Sequence, residues 1–247
     1  MPIPFVYFFT DFSVNGPYLG QMESVLLEQD PNIRVINLQC DAPFANPKAS
    51  AYLLSALSAY LPENAIVVAV VDAGVGSSRK ALCLNIGSRW FIGPDNGLLA
   101  VLADNAEGCT LLEPESFDQG FISASFHGRD VFAPLAADIA LGKLPAGRAV
   151  VLDDMVGASW STTLDEIIYI DGYGNAMTGM LARSISNFKG IRCRQQYIPQ
   201  GRTFSSVAQG TAFCYENSIG LIEIAVNCGS AEKLLGLQVG QLVKIVK

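Results

Sequence analysis

Ala65-Ile-Val-Val-Ala-Val-Val71, followed by Asp72-Ala-Gly-Val-Gly-Ser-Ser-Arg79, is the stretch on which the fold turns. An unbroken apolar run leaves a strand no solvated face, which is the condition inside a parallel sheet covered on both sides. The run ends in a carboxylate, two glycines and an arginine. Ligands of open α/β sheets sit beyond the carboxyl ends of the strands, so Asp72 stands where chemistry is expected. The loop is not a phosphate cradle. Arg79 occupies the place of the third glycine of G-x-G-x-x-G, and the G-K-[ST] of a Walker A loop is absent. An Asp72–Arg79 pair that only holds a turn explains the same residues equally well.

Outward from this strand the pattern alternates. Phe5–Phe9 is a short aromatic and β-branched strand ending at Asp11. Asn15-Gly16-Pro17 is turn chemistry, and Tyr18–Gln29 has helical spacing with Leu19, Met22, Val25 and Leu26 on one face. Ile33–Leu38 reads as a strand and Lys48–Tyr60 as a helix. Ala81–Ile86 and Trp90–Ile92 read as strands about a Gly87-Ser88 turn, Gly97–Ala103 as a short helix and Val131–Leu141 as a longer one. This rhythm predicts an N-terminal Rossmann-like α/β layered domain over residues 1–145. From Glu166 the runs are short and broken by glycine: Ile167–Ile170, Gly190–Arg194, Thr211–Tyr215, Leu221–Val226 and Leu242–Val246. They predict a smaller, antiparallel β-barrel-like or sandwich domain over residues 164–247. Glycine, proline and aspartate concentrate between the two, giving a linker at residues 146–163.

Composition narrows the function. Half of the 247 residues are hydrophobic and only 16% are charged, which excludes a disordered chain. With 16 Lys+Arg against 23 Asp+Glu the net charge is −7. No basic stripe is visible beyond Arg192–Arg194 and Arg202, so neither nucleic acid nor an anionic membrane is expected as a partner. The longest uncharged apolar stretch, Ala49–Pro62, falls short of the roughly 20 residues that span a bilayer. The N-terminus reads as a first strand and not as a signal peptide. Cysteines 40, 83, 109, 193, 214 and 228 are scattered without a C-x-x-C. Cys193 and Cys214 have the option of pairing, but reduced thiols in a cytoplasmic protein are the expectation. His127 is the sole histidine, which removes every metal site that needs two imidazoles.

Other polar positions are ordinary one by one. Asp11 ends a strand as Asp72 does, and two carboxylates at strand ends of one sheet share a crevice. Vicinal ribose hydroxyls favour such an acceptor. His127 precedes an apolar helix, either as a capped or packed histidine near the helix start or as a polar member of a site shared with Asp72 and Arg79. Gly93-Pro-Asp-Asn-Gly97, Asp171-Gly-Tyr-Gly-Asn175 and Glu216-Asn-Ser218 each read as a turn.

Their order is more specific. Thr10-Asp11-Phe12 with Gly16-Pro-Tyr-Leu-Gly-Gln-Met22, Val70-Val-Asp-Ala-Gly-Val-Gly-Ser77 with Arg79, and Gly93-Pro-Asp-Asn-Gly97 come first. Phe126-His-Gly-Arg-Asp-Val-Phe-Ala-Pro134, Ile170-Asp-Gly-Tyr-Gly-Asn175, and Asn217-Ser218 with Glu223-Ile-Ala225 follow. Together, almost end to end, they resemble the S-adenosyl-L-methionine (SAM) hydrolases that form adenosine, also called SAM hydroxide adenosyltransferases, relatives of the fluorinase and chlorinase enzymes. The resemblance implies a homotrimer. Each ligand would lie between the N-terminal domain of one subunit and the C-terminal domain of its neighbour. It implies that Asp72, Arg79 and His127 form the triad that handles water, and that Asp11 takes the ribose hydroxyls. Asp171 and Ser218 would hold the methionine end. Asn175 would read the adenine, helped by the backbone near Cys228. SAM is then substrate, adenosine and methionine are products, and neither cofactor nor metal is implied. Two departures stand out: Ala73 where the family usually has proline, and Cys40 where it commonly has histidine. The alternatives are a SAM-dependent 5′-halogenase, which lacks the triad, and a non-catalytic adenosine- or SAM-binding protein, which does not need it.

Overall fold

A computed structural model of the chain describes residues 5–104, 110–114 and 122–247. Two compact units emerge, Met1–Ala51 with Leu61–Trp160, and Tyr52–Tyr60 with Ser161–Lys247.

In the first unit, strands β1 (Phe5–Thr10), β2 (Arg34–Gln39), β3 (Ile66–Val70), β4 (Ala81–Ile86), β5 (Arg89–Pro94), β6 (Thr110–Pro114) and β7 (Gly147–Ala149) form one sheet in the order β2-β1-β3-β5-β4-β6-β7. The first four in that order run parallel, and β4, β6 and β7 pair antiparallel. Every residue of β3 is buried, as its apolar run requires. Helix α1 (Tyr18–Gln29) starts after Pro17 and stops at Asp30, whose backbone N–H donates to the Leu26 carbonyl at 3.1 Å before Pro31. Met22 and Leu26 of α1 are fully buried beside Val6, Phe8 and Phe132, and burial of such a side chain contributes about 1.5–3 kcal/mol. Helices α2 (Pro47–Ser58) and α3 (Ala100–Asp104) follow. The helix expected at Val131–Leu141 begins earlier, as a π-helical turn over Gly128–Phe132 that passes into α4 (Ala133–Ala140).

Strands β6 and β7 are absent from the sequence reading. The first carries Pro114, and the second is a three-residue segment opening on Gly147. Gly147 is dictated by backbone contact: a Cβ there would lie 2.5 Å from the Glu113 carbonyl oxygen. Residues 146–160, within the expected linker, thus include β7 and cluster with the first unit.

The second unit contains β8 (Leu164–Ile170), β9 (Ala176–Leu181), β10 (Gly190–Cys193), β11 (Gln196–Pro199), β12 (Ala212–Glu216), β13 (Leu221–Val226), helix α5 (Ala231–Leu235) and β14 (Val243–Val246). They form two antiparallel sheets, β12-β13-β9-β8 and β11-β10-β14. Single bridges, Glu166 with Leu242 and Gln200 with Cys214, join the sheets at both edges, which makes the unit barrel-like. Ile167, Ile191, Ile222, Ile224 and Val226 are among the residues that fill its core. The fold class expected from the sequence is therefore the one observed. Among the described residues no helix is long and apolar enough to cross a membrane. Cys40, Cys83, Cys193, Cys214 and Cys228 are free thiols, and Cys109 lies outside the described residues.

Candidate active site

The parallel pairing of β1 with β3 sets Thr10 opposite Val70. Asp11 and Asp72 follow at the carboxyl ends of these adjacent strands, as their sequence positions predict. The Asp11 Oδ2 accepts the Ala45 backbone N–H at 2.9 Å. Burial pushes its carboxyl above the usual range and the negative charge of Asp72 adds to that, against the Ala45 hydrogen bond.

The loop after β3 folds around Asp72. Its Oδ1 accepts the Gly74 N–H at 3.1 Å, and the Ser77 N–H closes onto the Gly74 carbonyl at 3.1 Å. Gly76 has φ +80°, and a Cβ there would strike the Ala124 carbonyl oxygen. The glycine thus lets the segment leading to His127 pack directly on the loop. Arg79 then grips Asp72 with two parallel donors, Nε to Oδ1 at 2.9 Å and Nη2 to Oδ2. The same Nη2 lies 3.1 Å from His127 Nδ1, and the guanidinium stands 5.5 Å from the centre of the Phe132 ring. The Arg79 and Asp72 side chains retain 9% and 3% of their exposure. An arginine only donates, so His127 Nδ1 accepts, and the ring is the neutral tautomer with its proton on Nε2. Burial, then the Arg79 charge, hold the His127 pKa below its ordinary value, against Asp72 and Asp130.

Asp72 and His127 line a crevice of about 150 Å³ whose other wall is aromatic. Phe12, Tyr18 and Phe126 meet there with ring centres 5.3–5.9 Å apart. Arg79 does not line it and stands behind the other two as their common partner. Gly93–Gly97 is a buttress: Asn96 Nδ2 donates to the Val71 carbonyl at 2.9 Å, fixing the residue before Asp72. Asp95 Oδ1 accepts the Val156 N–H at 2.9 Å. Trp160, which the sequence reading passed over, covers Gly97 so closely that a Cβ would enter its ring.

The second unit carries a cavity of about 640 Å³. Asp171, Asn175, Ser218 and Cys228 all line it. The Asp171 carboxylate organises its own loop: Oδ1 accepts the N–H groups of Tyr173 and Asn175, each at 2.9 Å, and Oδ2 accepts Asn175 Nδ2 at 3.1 Å. Asn175, itself buried, turns both its backbone N–H and its side-chain Nδ2 to Asp171. The expected residues thus fall into two groups, Asp11, Asp72, Arg79 and His127 in one unit and Asp171, Asn175, Ser218 and Cys228 in the other. Tyr215, Asn217 and Glu223 also line the cavity; the sequence motifs include Asn217 and Glu223 without a role for either, and Tyr215 is in none of them. The available signal was an acid inside the apolar run Leu221–Val226.

Two family models cover nearly all of the chain. The SAM hydroxide adenosyltransferase N-terminal domain matches residues 6–148 and the corresponding C-terminal domain residues 165–244. The chain belongs to the SAM hydroxide adenosyltransferase family. Among other members, the (R)-S-adenosyl-L-methionine hydrolase of Thermus thermophilus is 38% identical over 98% of this chain and 99% of its own length. The enzyme of the same name from Salinispora arenicola is 33% identical over 98% of this chain and 97% of its own. A crystal structure of a conserved hypothetical protein from Thermus thermophilus superposes with a TM-score of 0.76 at 36% identity, covering 98% of this chain and all of that one. An uncharacterized conserved protein from Thermotoga maritima superposes at 0.87 with 26% identity, again over 98% of this chain and all of that one. Among the described residues of this adenosyltransferase-family chain, no group of three or more His, Cys, Asp or Glu side chains is arranged to hold a metal ion.

Proposed function

We propose that this chain hydrolyses S-adenosyl-L-methionine to adenosine and L-methionine, by in-line attack of water on the ribose C5′. The observation that carries the reading is the Asp72–Arg79–His127 cluster bordering an aromatic crevice. The sulfonium is a leaving group that needs no further activation, so the demand falls on the water. A unit charge about 4 Å from a developing hydroxide is worth roughly 4 kcal/mol at an effective dielectric of 20. Asp72 offsets part of the Arg79 charge, so the sulfonium shares this role. Asp72 accepts a hydrogen bond from the water, and Arg79 locks both Asp72 and His127 in orientation. The aromatic wall keeps competing water out. Asp11 holds the ribose hydroxyls, Asp171 and Ser218 the methionine end, and Asn175 with the backbone at Cys228 the adenine.

The family resemblance carries the further reading that the working enzyme is a homotrimer completing each site from two subunits. The modules are residues 1–145 and 164–247 with a linker at 146–163, and the setting is cytoplasmic with no cofactor. Incubation with SAM tests the activity: adenosine and methionine in equal amounts support it. A 5′-halo-adenosine formed with added halide assigns a halogenase instead. Tight binding without any product assigns a non-catalytic binding protein.

A further inference from the structure

Glu223 sits in the middle of β13, directly opposite Tyr215 on β12 and Met177 on β9. Its neighbours Ile222 and Ile224 point into the barrel core, so strand alternation turns Glu223 to the other face, onto the cavity. It is only 3% exposed. Oε1 accepts the Tyr215 hydroxyl at 2.6 Å and Oε2 accepts Asn217 Nδ2 at 2.9 Å. Both donors are neutral, and among the described residues no lysine, arginine or histidine lines the cavity. Asp171, the other acid of the wall, likewise has its hydrogen bonds from neutral N–H groups. A buried carboxylate without a cation is costly. Burial raises the Glu223 pKa, the two hydrogen bonds oppose this, and the Asp171 charge adds to it. A carboxylate has about four acceptor positions, and Tyr215 and Asn217 take two of them.

We propose that Glu223 is a specificity-determining residue, whose carboxylate is completed by a cationic group of the ligand entering this cavity. This rests on the SAM reading above and names the part of the site that distinguishes SAM from uncharged adenosyl compounds. The cation is an ammonium or a sulfonium, since SAM offers both. Asn217 links this charge to the loop that presents Ser218. While its amide N–H bonds Glu223, its Oδ1 accepts the backbone N–H groups of Ile219 at 3.1 Å and Leu221 at 3.0 Å. The aromatic cluster of Phe204, Phe213 and Tyr215 packs on the same side of the sheet.

The test compares wild type and the near-isosteric Glu223→Gln. Calorimetry measures S-adenosylhomocysteine, which carries the ammonium alone, and 5′-methylthioadenosine and adenosine, which carry no cation. KM reports on SAM itself. Glu223→Gln is expected to weaken the cation-bearing ligands roughly tenfold or more, the scale of a lost buried charge partner, and to leave the other two within about twofold. Weakening of SAM alone assigns the sulfonium, and weakening of both SAM and S-adenosylhomocysteine the ammonium. Equal weakening of all ligands, or of none, overturns the proposal. Wild type supplies a measurement free of any folding defect: S-adenosylhomocysteine or SAM must bind at least about tenfold tighter than 5′-methylthioadenosine, and equal affinities overturn the proposal. Wild type that binds none of the four defeats the SAM reading itself, which is a separate result.

Discussion

Nη2 of Arg79 lies 3.1 Å from Nδ1 of His127, 48 residues further along the chain. The same nitrogen bonds Asp72, so one guanidinium orders an acid and an imidazole that both face the crevice. This contact fixes the tautomer of His127 and ties the loop after β3 to the π-helical turn that His127 precedes.

Replacing Arg79 by alanine is expected to lower kcat by about 10²-fold, because Asp72 and His127 lose the partner that orients them at the crevice. Adenosine should still bind, because the roles proposed for Asp11 and Asn175 place them on parts of the substrate that do not change in the reaction. Arg79→Lys keeps the charge but lacks the planar fork, so it recovers only part of the rate. Removing one partner of a buried pair costs about 3–5 kcal/mol of fold stability, so melting temperatures accompany the kinetics. A wild-type kcat with a raised KM makes Arg79 a binding residue and removes the triad assignment.

The pH response of His127 follows from its lowered pKa. In the unfolded chain the imidazole takes up a proton near its ordinary value of about 6.5, whereas the folded site resists until a lower pH. Between those two values the unfolded state binds more protons, so stability falls as pH falls. Activity is expected to fall through the lower value, where a protonated Nδ1 no longer accepts from Arg79. Asp11 and Glu223 titrate with raised pKa values and the opposite sign. The relevant readout is therefore the difference between wild type and His127→Gln, in thermal melts and rate profiles from pH 4 to 8. Identical profiles in the two proteins contradict the assignment.

Much of the frame was legible because it is written in apolar runs. Tyr18–Gln29, Ala81–Ile86 and Leu221–Val226 are the same spans in the sequence reading and in the structure. The strands that were not read are short or contain a breaker. β9 carries Gly179, where a Cβ would lie 2.6 Å from the Leu164 Cβ, and β11 ends in Pro199. In the candidate site, Asp72 and Arg79 stand close enough in sequence to suggest a pair. For His127 the sequence offers a shared site only as one option beside a packed histidine, since nothing local shows which loop it faces, and its triad role comes from the family resemblance. Trp160 and the Tyr215–Glu223 pair depend on contacts across the fold, which local pattern does not encode.

Asp11 should show a trade between binding and stability. Its carboxyl is disfavoured as an anion by burial. The raised value means that above the ordinary carboxylate range the fold carries the penalty of the charge, and Asp11→Asn removes it while an amide oxygen can still accept the Ala45 N–H. The variant is expected to melt higher at neutral pH, and its KM for SAM should rise about tenfold to a hundredfold, the loss of a charge-assisted hydrogen bond. An unchanged KM removes Asp11 from the ribose site.

Thiol reactivity should follow burial. Cys83 and Cys214 are buried, with pKa values pushed up to about 12, and should resist alkylation in the native protein. The exposed Cys228 should react first. In denaturant without reductant all six cysteines of the sequence are expected to titrate. Fewer than six would reveal a disulfide.

Hydrolysis of SAM in oxygen-18 water followed by mass spectrometry tests the central claim most directly. In-line attack of water on C5′ predicts adenosine that carries one solvent oxygen as its 5′-hydroxyl, together with unlabelled methionine. Adenosine without the label, or a halogenated nucleoside in its place, would contradict the account.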